Sequence, residues 1–418
     1  MRHKNKYPWK IGNPPPFLED HSKTKHALIA EYLGEYIQIL MANPRQDFLK
    51  ISLVDGFAGG GKYIDEQTSK EVDGSPFVML NAIKAAEAKI NIGSIKPKKI
   101  DAEFHFVESN KNHYDYLQAE LAACDFSSLL GHNIKIYKDD FNKVAQTIIQ
   151  QIQSHKGGER AIFVLDQFAY KDVPFQLINK IFNQLHKPEV ILTFGVETLT
   201  SFLSDTNECR TALEKIGLLQ YVDLKRIQEY KEAGMWEAAI QEQLTDAIWK
   251  ASGARYITLF YISPKKGWTY WLVHLSNVYK ARDVMMQLHW RLANNFKHHL
   301  EFGLFKLGYQ ASNRQQLSFD LGNDSSFNAI ADTTCVNALA EKLPRIIYDH
   351  KDPVSYKNII HTLGCYTPAC IKQFSKALDI SIQTKEILAT SKNGETRRSE
   401  NNLKLDDSFK PHQSNLFI

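Results

Sequence analysis

The sequence predicts an α/β protein built on a doubly wound, mostly parallel sheet, and three observations predict it. Short apolar runs alternate with helical stretches five times over residues 48–196. Those runs are apolar almost throughout, as strands covered by helices on both faces are. Two more strand-like runs then follow each other across a Gly-containing turn, which reads as a hairpin closing the sheet.

In chain order, residues 1–20 carry Pro8 and the run Pro14-Pro15-Pro16, which exclude regular helix and predict an extended arm. Leu28, Ile29, Tyr32, Leu33, Tyr36, Ile37 and Leu40 recur at helical spacing and predict an amphipathic helix. The strands are "ISLVD", "AEFHFVESN", "NIKIYKDDF", "RAIFVLDQFAY" and "EVILTFGV", each of the first four followed by a helical stretch. Residues 197–254 read as a helical insertion. "ARYITLFYIS" and "WTYWLVHLSN", joined through Pro264-Lys265-Lys266-Gly267, form the hairpin. Parallel strands closed in this way are the topology of class I S-adenosylmethionine-dependent methyltransferases, so a Rossmann-like domain is expected over 21–300. Residues 301–334 read as a linker. Three helices and a small hairpin over 335–398 predict a winged-helix-like module, and 399–418 a loose polar tail.

Bulk properties narrow the class. The chain has 418 residues, too many for one small domain, with 43% hydrophobic and 23% charged residues, an ordinary globular balance. No apolar run reaches the ~20 residues that span a bilayer, and the basic N-terminal stretch has no apolar core behind it. A cytoplasmic protein without a membrane partner is the expectation. A net charge of +4 permits a nucleic-acid partner without demanding one. Cys365 and Cys370 lie close in sequence with no second pair, a poor zinc frame, so no metal is expected.

The stretch "VDGFAGGGKY" ends the first strand in an acid and follows it with a glycine-rich loop. In a doubly wound sheet, ligands bind outside the carboxyl ends of the strands. Asp55 offers a fixed carboxylate there, and Gly56, Phe57, Ala58, Gly59 and Gly61 form a loop whose backbone can approach a ligand closely. Glu108 ends the second strand, where an acid accepts ribose hydroxyls. Asp140 and Phe141 end the third. Asp140 either accepts from an adenine amine, with Phe141 stacked near the ring, or caps the next helix. Lys62 lacks the Walker spacing, and a pyrophosphate disfavours an acid at the loop entrance. The acids favour a cationic ligand, S-adenosyl-L-methionine. On the fourth strand, Asp166 and Tyr170 stand at the interval at which base-amine methyltransferases place an acid and a stacking aromatic, with Gln167 and Phe168 in place of prolines.

"HSKTKHALIAEYL", "VDGFAGGGKY", "DGSPFVMLNA", "FVLDQFAYKDVPFQLINKIF" and "MMQLHW", in that order, resemble the three-Cys-motif partner (TcmP) family over roughly residues 20–300. The resemblance implies a methyltransferase-like Rossmann fold. It also implies a partner with three clustered cysteines, of the radical S-adenosylmethionine type, often encoded nearby in bacteria. Asp55, Gly56, Phe57, Ala58, Gly59 and Gly61 match the family's loop, and Asp166 its fourth-strand acid. Gly60 departs from the family's proline, and Gln167 and Ala169 from the proline and glycine of its fourth-strand motif. Two functions follow: methyl transfer to an amine, on a nucleic-acid base, with Asp166 and Tyr170 catalytic; or a non-catalytic binding subunit of the Cys-rich partner, in a mobile or antiviral gene cluster.

Overall fold

The computed structural model describes residues 7–155, 160–167, 170–195, 199, 203–232, 236–262, 270–292, 329–365, 367–400 and 403–412. These divide into two compact units, residues 1–224 with 246–284, and residues 225–245 with 285–418.

The first unit holds a seven-stranded sheet. Its strands are β2 (Phe48–Asp55), β5 (Lys99–Val107), β6 (Ile134–Tyr137), β7 (Arg160–Leu165), β8 (Lys187–Phe194), β9 (Tyr256–Ile262) and β10 (Tyr270–Ser276). They lie in the order β6-β5-β2-β7-β8-β10-β9. All neighbours are parallel except β10, which runs antiparallel to both β8 and β9. Counting only these seven, the order is third, second, first, fourth, fifth, seventh, sixth, the doubly wound sheet expected. Strand order reverses between β2 and β7, the switch point where such sheets bind ligands. The turn expected at 264–267 lies outside the described residues.

Helices cover the sheet because their apolar stripes have nowhere else to go. In α1 (Asp20–Leu40), Leu28, Tyr32, Leu33, Tyr36 and Ile37 are all at most 1% exposed. Helices α2 (Ser75–Asn91), α3 (Lys111–Ala123), α4 (Phe141–Ser154) and α5 (Phe175–Gln184) each bury one face in the same way. Along the chain, helices Asn207–Ile216, Leu224–Glu232 and Trp236–Ser252 follow β8 and precede β9; residues 225–245 belong to the second unit.

The structure adds a small sheet that sequence periodicity did not reveal. Strand β1 (Phe17–Leu18) pairs in parallel with β3 (Lys62–Asp65), which pairs antiparallel with β4 (Glu71–Asp73). The turn between β3 and β4 is held by Asp65, whose carboxylate accepts from the Gln67 and Thr68 amides, with Ser69 left-handed at φ 54°. Segments this short carry too few alternations to read as strands.

In the second unit, helices Ala329–Tyr348, Tyr356–Leu363 and Ile371–Gln383 accompany a four-stranded sheet of β11 (Val354–Ser355), β14 (Ser408–Pro411), β12 (Ile387–Thr390) and β13 (Thr396–Arg397), in that order. This corrects the expectation of a loose tail for residues 403–412; residues 401–402 and 413–418 of that expected tail lie outside the described residues. Strand β14 pairs with both β11 and β12, and Phe409 is fully buried. One aromatic flanked by polar residues gives no readable alternation, yet it fills the core of this unit. Arg397 has a structural role: its guanidinium donates to both oxygens of buried Asp407. Among the described residues no helix is long and apolar enough to cross a membrane.

Candidate functional site

The loop after β2 is stitched to its neighbours almost residue by residue. The Gly56 amide donates to the Val164 carbonyl at the end of β7, and the Ala58 amide to Val107 at the end of β5. The Phe57 amide donates to Asp55 Oδ1 and the Gly59 amide to Glu108 Oε2, both at 3.0 Å. The loop therefore bridges the tips of the strands on either side of β2.

Its glycines are required by the way the chain packs on them. The positions that added Cβ atoms would take are filled by the chain itself. At Gly56 a Cβ would lie 2.7 Å from Leu165 Cδ2, at Gly61 2.7 Å from Leu117 Cδ1, and at Gly59 and Gly60 it would run into the Trp9 indole. Gly59 and Gly61 also have positive φ, 61° and 83°. Tight internal packing occupies the side-chain direction at each of these glycines.

Asp55 fits a cationic ligand better than the glycines do. It is fully buried, and its Oδ2 has no hydrogen-bond partner. Burial pushes its acid up to about 7, against the pull of Ser75 and the Phe57 amide. Glu108 sits at the adjacent tip with both oxygens engaged by backbone, Oε2 by Gly59 and Oε1 by Asn110 at 2.7 Å. Each oxygen keeps a second lone pair for a further donor.

The third strand supplies less than expected. Asp140 caps α4, its Oδ1 accepting from the Asn142 amide at 2.9 Å, so of its two readings the structure shows the cap. Phe141 is 2% exposed and packs against Phe57 and Phe163, with ring centroids 6.4 and 6.5 Å away. Buried in the core, it offers no face to an adenine ring, which corrects that expectation.

Asp166 follows β7 directly. Both its oxygens receive the Lys25 ammonium from α1, at 2.6 and 2.5 Å, in a pair whose lysine side chain is 9% exposed and whose aspartate is 35% exposed. Burial pushes the Asp166 acid up, but Lys25, with the Thr193 hydroxyl at the end of β8, holds it below the usual carboxylate range. Beside it, burial and the Lys25 charge lower His26 to about 4, so that imidazole is neutral at pH 7. His26 also borders a groove of about 750 Å³ between α1 and α2, whose lining includes Ala30, Ala82 and Asp73. Gln167 accepts from the Val173 amide at 2.9 Å and so ties the segment back by a side-chain bond. Tyr170 meets Phe194 edge-on at 6.2 Å; Phe168 and Ala169 lie outside the described residues.

Thus Asp55, the Gly56–Gly61 loop, Glu108 and Asp166 meet around the switch point, whereas Asp140 and Phe141 serve helix and core. Sequence reading did not pair Lys25 with Asp166. It missed Tyr7 and Trp9, whose only signal was two aromatics among prolines.

No protein family model matches the chain, and no curated protein matches it. Several solved structures resemble the chain distantly. A Legionella pneumophila protein of family model DUF519 is 10% identical, with 64% of this chain and 91% of that one covered and a TM-score of 0.35. Trm1 from Pyrococcus horikoshii, solved with S-adenosyl-L-methionine, is 10% identical over 96% and 94%, at 0.29. The N-terminal domain of human METTL16, in complex with SAH, is 8% identical over 58% and 68%, at 0.24. At such TM-scores the likeness assigns this chain no substrate and no partner.

Proposed function

We propose that the first unit binds S-adenosyl-L-methionine at the tips of β2 and β5 and transfers its methyl group to an amine held at the tip of β7. The observation that carries this reading is the buried Asp55 carboxylate, with one oxygen unpartnered, beside Asp166 at the sheet's switch point. Asp55 would receive the ammonium end of the cofactor and Glu108 the ribose hydroxyls. The cofactor, when bound, supplies a methyl group on a sulfonium that is already a good leaving group. The chain's own residues then orient and exclude water. Asp166, held ionised by Lys25, accepts from the acceptor amine and aims its lone pair, and Tyr170 lines the approach. An amine on a nucleic-acid base fits the acid-plus-aromatic arrangement of the fourth strand. The winged-helix reading of the second unit would add phosphate contacts from Lys385, Lys392 and Arg398.

A second reading has a specific observation behind it. Lys25 already occupies both oxygens of Asp166, and the loop glycines are filled by the chain's own side chains. Both features suit a non-catalytic subunit of a three-cysteine, radical S-adenosylmethionine-type partner, as the TcmP resemblance implies.

Calorimetry with S-adenosylhomocysteine tests the first reading. The protein should bind it, and Glu108→Ala should weaken binding by about 1–3 kcal/mol, the value of a charge-assisted hydrogen bond. Absence of binding leaves the subunit reading standing.

A further inference from the structure

The segment Tyr7–Leu18 runs back across the loop after β2 and is fastened at both ends. At one end β1 pairs with β3, and the Ile64 amide donates to the Pro16 carbonyl at 2.8 Å. At the other, Trp9 is 4% exposed and its Nε1 donates to the Lys62 carbonyl at 2.6 Å, immediately past the glycines. The indole meets Tyr63 and His113 edge-on, with centroids 5.0 and 4.8 Å away. Tyr7 packs on Trp9 and donates to Glu19 at 2.9 Å. A Cβ at Gly60 would lie 2.7 Å from Trp9 Cδ2 and closer still to Cγ. A Cβ at Gly59 would lie 2.9 Å from Trp9 Cη2. Two of the three consecutive glycines are thus required by the indole.

We infer that Trp9 is a positioning residue for the cofactor loop: it presses Gly59 and Gly60 into the one conformation in which the Gly59 amide clamps Glu108. The inference rests on the cofactor reading above. The chain of contact is direct. Trp9 covers Gly59, the Gly59 amide donates to Glu108 Oε2, and Trp9 flanks His113, whose Nδ1 lies 3.7 Å from Glu108 Oε1. Without the indole, Gly59 and Gly60 lose the side chain packed on them, and glycine itself restricts backbone rotation little. Ordering the loop would then fall to the ligand, and its affinity would fall accordingly. Trp9 touches the loop and not the reacting atoms, so its effect belongs in cofactor affinity rather than in the rate at saturation.

The test is a double-mutant cycle on Trp9 and Gly60, read by S-adenosylhomocysteine affinity well below the unfolding temperature and by thermal unfolding without ligand. Trp9→Ala should weaken affinity about tenfold or more, and Trp9→Phe, which keeps a ring on the glycines, should recover most of it. Gly60→Ala should be damaging in the wild type and nearly silent in the Trp9→Ala background, where the indole is gone. Methyl transfer, where measured, should show KM for the cofactor raised and kcat kept. A wild type that binds while Trp9→Ala binds equally well overturns the positioning role and leaves the cofactor reading intact. A wild type that does not bind overturns both. Additive effects of Trp9→Ala and Gly60→Ala on unfolding overturn the contact itself, with or without cofactor.

Discussion

Asp55 and Asp166 end neighbouring parallel strands, and Asp55 pairs in register with Val164, two residues before Asp166. Their electrostatic settings are opposite. Asp55 is sealed in the sheet end with one oxygen unpartnered, and its acid is pushed up to about 7. Asp166 is a third exposed, embraced by an ammonium, and held below the ordinary range. Position on a strand tip therefore says that a carboxylate is present, while its neighbours decide whether it is charged. An acid poised near neutrality is ready to ionise when a cation arrives, and an acid already paired is a fixed negative pole.

The largest expected effect comes from removing the fixed pole. Asp166→Ala should cut methyl transfer about a hundredfold or more, because a misplaced acceptor loses alignment steeply, while S-adenosylhomocysteine affinity stays within about threefold. Affinity and unfolding temperature falling together would instead make Asp166 a structural partner of Lys25 and favour the subunit reading.

The poised acid predicts a pH dependence whose sign is fixed by its raised value. Without ligand, the unfolded chain ionises Asp55 near its ordinary value while the folded chain keeps the proton up to about 7. Its contribution to stability is thus present at low pH and lost as pH rises to about 7. A ligand ammonium seated on Asp55 needs the ionised form, so affinity for S-adenosylhomocysteine should fall about tenfold per unit as pH drops below 7. Asp55→Asn should flatten that dependence at a uniformly weaker affinity. A wild-type profile flat from pH 5 to 8 would remove Asp55 from the ligand.

The smallest effect concerns the ammonium that distinguishes the two acids. Lys25→Met should let the Asp166 acid rise, since the adjacent ammonium is what holds it down against burial. The acid limb of kcat should move to higher pH, with activity at high pH less affected. An unmoved limb would mean that Asp166 does not titrate in the reaction.

Much of the first unit was legible in the sequence because its signals are local and repeated. Continuous apolar runs such as Ile162-Phe163-Val164-Leu165 must be buried on both faces, and alternation with helices then dictates parallel crossovers. Asp55, Glu108 and Asp166 were readable as acids at or just past strand ends for the same reason. Phe141 was misread because a residue just past a strand end can face the ligand or the core, and only packing against Phe57 and Phe163 decides which. The β14 strand was missed because its pairing partners lie far away in sequence and its own pattern is a single buried Phe409. What the sequence by itself determined is the order of strands and the acids at their tips, since burial patterns and chain direction suffice for that. Only tertiary structure decided that Lys25 neutralises Asp166, 141 positions away, and that Trp9 rather than a ligand fills the space at Gly59 and Gly60. Both depend on contacts between segments remote in the chain, and no local period or propensity encodes such distances.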